Sequence, residues 1–403
     1  MARVLFLVHR LPYPPNKGDK VRSFHMLRHL AVNHDVHLGT FIDDPADEVH
    51  LPKVKSFCAT MHAARLVPRT AKLRSAIGLV TGEALSLPYY RDSSLREWVA
   101  ATIKQVKPDV AVVFSSVMAD YLNTVPGLPA LVDFVDMDSA KWTQYAQTHG
   151  WPMSWVYRRE GAKLFAFERL VAKRSHASFF VTDAEAAMFR AAAPESAEQV
   201  GVICNGVDAD FFSPANAGKS PFTTAEVPLV FTGAMDYWPN VDAATWFATE
   251  AMPMLQQAVP GAKFYIVGRS PDPSLRVLAD GSGGRVVVTG TVDDVRPYLA
   301  HAKLVVAPLR IARGIQNKVL EAMAMARPVI ASANCAGPIQ AEPGKHLMAA
   351  ASIGDYVDAI TTLLADTEAA EAMGRVAREH VVAHYSWDAH LAGLDRAISR
   401  VTS

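Results

Sequence analysis

Short apolar runs alternate with longer stretches of helical period along the whole chain. Runs at 4–8, 36–41, 110–114, 131–135, 178–181 and 200–204 are dominated by Val, Leu, Ile, Phe and Ala. Such runs read as strands buried on both faces, the pattern of parallel sheets covered by helices. The pattern breaks after Phe212 at Ser213-Pro214-Ala215-Asn216-Ala217-Gly218-Lys219-Ser220-Pro221, a stretch of small and turn-forming residues that reads as a linker. It restarts at 229–232, 264–267, 286–289, 304–307 and 329–331. Two α/β units of similar size are expected. Trp387, Leu391, Leu394, Ile398 and Val401 mark one face of a terminal helix, which either caps the second unit or crosses back to the first.

Composition narrows the class. The chain has 403 residues, half of them hydrophobic, enough for two or three domains with real cores and too much for a disordered chain. Forty Lys and Arg balance forty Asp and Glu, so the chain lacks the overall basic footprint of a nucleic-acid binder. Cys58, Cys204 and Cys335 are too few and too scattered for a disulfide framework or a zinc site, and point to a reducing, cytoplasmic compartment. No apolar run is long enough to span a bilayer, and the opening residues read as a strand rather than a signal peptide.

Several chemistries are disfavoured. No Gly-x-Gly-x-x-Gly follows the first strand, Gly344-Lys345 lacks the earlier glycine of a P-loop, and no Gly-x-Ser-x-Gly is present. No cofactor is implied. What remains lies just after strands, where parallel sheets collect ligands. The run from Pro308 to Ala324 brings Arg310, Arg313, Gly314, Ile315, Gln316 and Lys318 to a helix start. Cations and backbone amides together suit a diphosphate; the alternative is a solvated basic loop. Glu321 is either an exposed helix carboxylate or an acceptor for both hydroxyls of a ribose. Asp136-Met137-Asp138 spells the Asp-x-Asp of metal-dependent transferases, but the preferred reading sets Asp136, Asp138 and Lys141 against ligand hydroxyls, with a helix cap as the alternative. Lys17, Gly18 and Asp19 form a loop after the first strand, approached through Pro12, Pro14 and Pro15. Asp19 serves either a ligand or the N-cap of a helix beginning near Lys20. Residues 151–174 read as one long helix with Arg158, Arg159, Lys163, Arg169, Lys173 and Arg174 on one side, a solvated basic face or a membrane-surface patch.

The run Ile203-Cys204-Asn205-Gly206-Val207-Asp208-Ala209-Asp210-Phe211-Phe212 resembles a signature of family 4 glycosyltransferases. So do the stretch from Gly314 to Met323 with Arg327-Pro328-Val329-Ile330-Ala331-Ser332, and the closing Tyr385-Ser386-Trp387. The stretches Pro14 to Ser23 and Phe231 to Asp242 are similar to a narrower group, the sugar transferases of bacterial exosortase and exopolysaccharide loci. The resemblance implies a GT-B fold, two Rossmann-like domains facing across a cleft with the last helix crossing back. It implies an acceptor-binding domain at 1–213 completed by 386–403, and a nucleotide-sugar-binding domain at 222–385. It further implies metal-independent, retaining transfer from a UDP- or GDP-type donor to a glycan or lipid-linked acceptor, in the cytoplasm and in peripheral contact with the inner membrane.

On that resemblance the donor site comprises Gly233, Arg269, Arg310, Arg313, Gly314, Ile315, Gln316, Lys318 and Glu321. The cleft loop is Lys17, Gly18 and Asp19. No catalytic base is identified, and Asp136, Asp138 and Lys141 are the candidates. The chain departs from the family pattern in three places. Arg313 replaces the first Glu of its Glu-x7-Glu pair; the usual Arg and Lys after the first strand of the second unit are absent, Gly233 being followed by Ala234-Met235-Asp236 and later Pro239-Asn240; and Phe114-Ser115-Ser116 replaces a mid-sheet His. The alternatives are a GT-B sugar-nucleotide 2-epimerase and a catalytically silent sugar-nucleotide-binding subunit.

Overall fold

A computed structural model describes every residue except Asn16, Thr124, Pro126, Arg313 and Ser403. Strands β1 (Arg3–Val8), β2 (Asp35–Ile42), β3 (Thr60–Arg65), β4 (Val110–Phe114), β5 (Ala130–Val135), β6 (Ala177–Phe180) and β7 (Val200–Val202) form one parallel sheet in the order β3-β2-β1-β4-β5-β6-β7. Strands β8 (Val227–Thr232), β9 (Ala262–Val267), β10 (Val286–Gly290), β11 (Leu304–Ala307), β12 (Val329–Ser332) and β13 (Met348–Ala350) form a second, in the order β10-β9-β8-β11-β12-β13. The apolar runs fall on strands because their side chains are buried on both faces: Val4, Leu5, Phe6, Leu7 and Val8 are all inaccessible. The edge strands β3 and β13, Thr-Met-His-Ala-Ala-Arg and Met-Ala-Ala, had no apolar run to announce them.

Both sheets grow in one direction and then reverse. In the first, β2 and β3 lie to one side of β1 and β4 to the other; in the second, β9 and β10 lie to one side of β8 and β11 to the other. At such a reversal the following helices leave toward opposite faces, so a crevice opens at the carboxyl ends of the two central strands. These crevices position the candidate residues.

Among the helices around the sheets are α1 (Gly18–Asn33), α2 (Asp138–Thr148), α3 (Met153–Arg174), α4 (Trp238–Trp246), α5 (Asn317–Ala324), α6 (Thr367–His384) and α7 (Trp387–Thr402). Contacts divide the chain into Met1–Cys204 with His390–Ser403, and Asn205–Ala389. The expected boundary at 213 therefore falls earlier, because 205–213 pack with the second unit: Arg378 of α6 donates to the carbonyls of Phe212 and Ala209 at 3.0 and 3.2 Å. Helix α7 starts in the second unit and belongs to the first from His390 onward. Leu391, Leu394 and Ile398 are buried, and His29 of α1 pairs with Asp395 at 2.9 Å.

The two chain segments leading from unit to unit run side by side. Val207 N–H donates to the Tyr385 carbonyl at 2.8 Å, and Val207 bridges Ser386. A Cβ on Gly206 would stand 2.8 Å from the Trp387 nitrogen, so only glycine allows this approach. The Asn-Gly-Val-Asp and Tyr-Ser-Trp signatures are thus two halves of one contact.

Helix α1 is anchored deep in the first unit. The Arg22 guanidinium donates to both carboxylate oxygens of Asp133 on β5, at 2.7 and 3.0 Å, and both residues are fully buried. A buried charge deprived of its partner is far more costly than a pair removed together. Arg22→Met is expected to lower stability by about 3–5 kcal/mol in urea unfolding. The double variant Arg22→Met with Asp133→Leu should lose clearly less; equal losses would mean the pair is not the anchor.

Candidate functional site

In the second unit the reversal lies between β8 and β11. Gly233 follows β8 directly, and its N–H donates to the Val267 carbonyl at 3.0 Å. A Cβ on Gly268 would stand 1.7 Å from the Gly233 carbonyl oxygen, so the loops after β8 and β9 touch backbone to backbone. Met235 N–H donates to the Arg269 carbonyl at 2.9 Å, which fixes Arg269 beside the same loop. The Arg269 Nε is buried and has no hydrogen-bond partner among the described residues.

Lys318 approaches from the other side of the reversal. It lies in the first turn of α5, with Gln316 at the N-cap, Ile315 buried before it and Gly314 at φ 59°. Its Nζ donates to Asn240 Oδ1 at 2.5 Å and sits 4.7 Å from the centre of the Phe231 ring. It would stand 3.1 Å from a Cβ on Gly233. Asn240 in turn donates to the Ala234 carbonyl at 2.8 Å, so it ties the lysine to the loop after β8. Burial drives the Lys318 ammonium down to about 8, and drives the Glu321 carboxyl, one turn on, up to about 7 against the pull of Lys318. Both groups are held near neutrality in pKa, poised to respond to a charged ligand.

Arg310 is arranged differently from its neighbours in sequence. Its guanidinium pairs with Asp242 of α4, with Nε 3.0 Å from Oδ2, and lies over the Trp246 ring at 5.8 Å. It lines a cavity of about 300 Å³ with Trp246, Asn334 and Tyr356, at the ends of β11, β12 and β13. Gly233, Arg269, Lys318 and Glu321 therefore gather around the β8–β11 crevice while Arg310 serves the neighbouring cavity. Arg313 lies outside the described residues. Asn240, which anchors the lysine, was visible in the sequence only as a departure from a pattern.

At the corresponding reversal in the first unit, β1 is followed by His9 and Arg10. Arg10 pairs with Asp19 at 2.6 Å and with Asp43, beyond β2, at 2.8 Å; His9 Nε2 lies 3.3 Å from Asp19. Burial would raise the Asp19 carboxyl, but the His9 hydrogen bond and the His9 and Arg10 charges hold it well below the usual range. The His9 ring stacks on Phe114 at 5.7 Å, so an imidazole reaches the end of β4 from the end of β1. His9 Nδ1 and Asp43 Oδ1 are buried without a partner among the described residues. Ser115, next along β4, has φ 74° and ψ 132°, a sparsely populated conformation of the kind that clusters at functional sites. Proximity in space, not spacing in sequence, reveals His9, Arg10 and Asp43.

Asp19 is not the cap of α1. Lys17 is at the N-cap, Gly18 opens the helix, and Asp19 lies in its first turn. Asp138 likewise opens α2 without capping it. The amides there are taken by buried carboxylates of other helices: Met137 N–H donates to Glu185 at 2.9 Å, and Ser139 N–H to Glu168 at 3.2 Å. Burial pushes the Glu168 carboxyl up to about 8. Lys141 stands between Asp136 and Asp138 at 2.8 and 3.0 Å. Burial would lower its ammonium, but the two carboxylates outweigh burial and hold it above its usual range. Among the described residues no three His, Cys, Asp or Glu converge as metal ligands.

Comparison with known proteins adds the following. Residues 226–366 match the family described as Glycosyl transferases group 1. Over 206 residues, 47% of this chain, the sequence is 31% identical to a GDP-mannose-dependent alpha-(1-6)-phosphatidylinositol monomannoside mannosyltransferase of Mycobacterium tuberculosis. The match spans about half that relative's length, 53%. The fold is shared with sucrose-phosphate synthase from Thermosynechococcus elongatus, TM-score 0.74 at 19% identity over 100% of this chain and 99% of the other. It is shared too with Anabaena HepE, solved with UDP-glucose, TM-score 0.70 at 15% identity over 99% and 100% of the two chains. Two Rossmann-like parallel sheets of the GT-B type thus build this chain, and its second unit carries a Glycosyl transferases group 1 domain.

Proposed function

We propose that this protein is a retaining glycosyltransferase that moves a sugar from a UDP- or GDP-type donor to a glycan or lipid-linked acceptor in exopolysaccharide assembly. The observation that carries the reading is the Lys318–Asn240–Gly233 arrangement at the β8–β11 reversal, inside the glycosyltransferase domain. A desolvated ammonium above a bare glycine loop can contact a diphosphate and strengthens as that anion arrives. Arg269, with its unpartnered Nε, adds a second cation, and Glu321 accepts from ribose hydroxyls. The nucleotide thus belongs to the second unit and the acceptor to the first, where Asp19, Arg10 and His9 form a polar cluster suited to hydroxyls.

In the reaction, the bond from the anomeric carbon to the leaving phosphate breaks as the acceptor oxygen attacks the same face. The acceptor's proton passes to the departing phosphate oxygen, so no enzymic nucleophile is required. Lys318 and Arg269 stabilise the charge that grows on the leaving diphosphate, and preorganised cations of this kind supply most of the rate gain where charge develops on a leaving group. The three free thiols fit a cytoplasmic location.

Incubation with UDP- and GDP-sugars and candidate acceptors is expected to yield a glycosylated product. An epimerised nucleotide sugar would instead indicate an isomerase, and binding without turnover a silent subunit.

Lys318→Ala is expected to weaken nucleoside diphosphate binding by about 1–3 kcal/mol, the cost of a lost charge-assisted hydrogen bond. Unchanged affinity in calorimetry would remove Lys318 from the site. The pH dependence follows from the two shifted groups. Below about 7 Glu321 takes up a proton and loses acceptor capacity; above about 8 Lys318 loses its charge. Affinity should peak between these limits, with the alkaline limb displaced upward by the bound anion. Glu321→Gln should erase the acidic limb alone.

In the first unit, a Cβ on Gly18 would meet nothing within 4 Å, so Gly18→Val should keep its melting temperature and nucleotide affinity. Contact with the acceptor would make its turnover fall about tenfold or more. Full turnover would reduce this helix start to scaffold.

A further inference from the structure

Most of the large apolar side chains that the first unit exposes gather in two neighbouring segments. One is the pair of short helices Pro68–Ser75 and Ile77–Thr81, where Leu73, Ile77 and Val80 face solvent, Val80 at 90% exposure. The other is the start of α3 and the residues just before it, where Trp151, Met153 and Trp155 do the same, Trp151 at 84%. The segments are bound to each other. Arg159 of α3 donates to the Gly78 and Glu83 carbonyls at 2.6 and 3.1 Å, and buried Glu160 accepts from Leu85 and Ser86 N–H at 2.6 and 2.9 Å. They form one surface.

Its charge has one sign. Neither 66–82 nor 149–159 contains an Asp or Glu, whereas Arg69, Lys72, Arg74, Arg158 and Arg159 lie within them. Arg69, Lys72 and Arg158 are exposed beside the apolar residues. The acids that border the two segments are both engaged: Glu83 is held by Arg91 at 2.7 Å, and Glu160 is buried on the Leu85 and Ser86 amides. The far end of α3 is committed elsewhere, since Arg169 pairs with Glu195 at 2.7 Å and Arg174 donates to Asn123 at 3.3 Å. Arg158, Lys163, Arg169, Lys173 and Arg174 are exposed along α3, as its expected basic face requires, and at its beginning that face adjoins the exposed apolar residues.

We infer that this patch docks on a bilayer containing anionic lipids. Tryptophans favour the headgroup level, the aliphatic side chains enter below it, and the cations meet lipid phosphates. Short helices lying flat need no spanning length, and no helix of the described residues is long and apolar enough to cross a membrane. A second copy of the chain is a poorer occupant, because a symmetric contact would set the same cations against each other. The inference stands on this surface alone and does not depend on the transferase reading.

Flotation of the full chain with phosphatidylcholine vesicles, with and without phosphatidylglycerol, tests it. The chain should float with phosphatidylglycerol vesicles at low salt, and lose binding in high salt or on phosphatidylcholine alone. Leu73→Asp with Val80→Asp should weaken capture about tenfold while melting temperature and nucleotide affinity hold. Should that variant fold poorly, Arg69→Glu with Lys72→Glu, both exposed, should give the same loss. Absence of flotation, equal capture of variant and wild type, or salt-insensitive binding to phosphatidylcholine would each overturn the proposal. So would a dimer in light scattering that the variants dissolve while vesicles capture nothing.

Discussion

A parallel sheet covered on both faces leaves its strands no solvent, and this constraint organises the protein. The cations buried beside the first sheet are answered, Arg22 by Asp133 and Lys20 by Asp47 at 2.5 Å. The polar clusters of both units gather beyond the carboxyl ends of the strands. There the reversal of strand order provides room, once between β1 and β4 and once between β8 and β11. The same constraint ties α1 to β5, because a guanidinium at that depth is held by the carboxylate that answers it.

The two crevices use this room in opposite ways. Around β8 and β11 charge is withheld: Lys318 is desolvated and met by a neutral amide, and Arg269 keeps one N–H unanswered among the described residues. Around β1 and β4 charge is compensated, with Arg10 between two carboxylates and His9 against one of them. On the proposed reading, the crevice that withholds compensation suits an ion and the one that compensates internally suits neutral hydroxyls. Dividing the chemistry this way would let an anionic donor and a neutral acceptor be recognised without competing.

Much of this was legible in the sequence because burial leaves a plain trace. Eleven of the strands announced themselves as apolar runs, while β3 and β13, half-covered at the sheet edges, did not. Lys318 and Glu321 stood out in the sequence as part of a helix start beyond a strand, whereas Gly233 and Arg269 entered the candidate set through the family resemblance. The partners of those residues were not legible. Asn240 beneath Lys318 depends on how α4 meets α5, and Asp242 beside Arg310 on how α4 meets the loop after β11, both matters of packing. His9 stacking on Phe114 from the neighbouring strand is equally invisible, because the stretch between them is about a hundred residues long. The starts of α1 and α2 escape a sequence reading for a related reason. A local rule expects the cap nearby, whereas at α2 Glu168 and Glu185 answer the amides from distant helices.

The side-by-side crossing at Val207 and Ser386 has a consequence for how the protein is made. Because α7 returns to the first unit, that unit is not a continuous stretch of chain, although its sheet is synthesised first. On the ribosome, β1 to β7 emerge with the seat for Leu391, Leu394 and Ile398 uncovered. The entire second unit, 205–389, is translated before the covering helix exists. Vectorial synthesis therefore favours completion of the second unit first, and the first unit closes only on the helix that its own sheet has awaited longest.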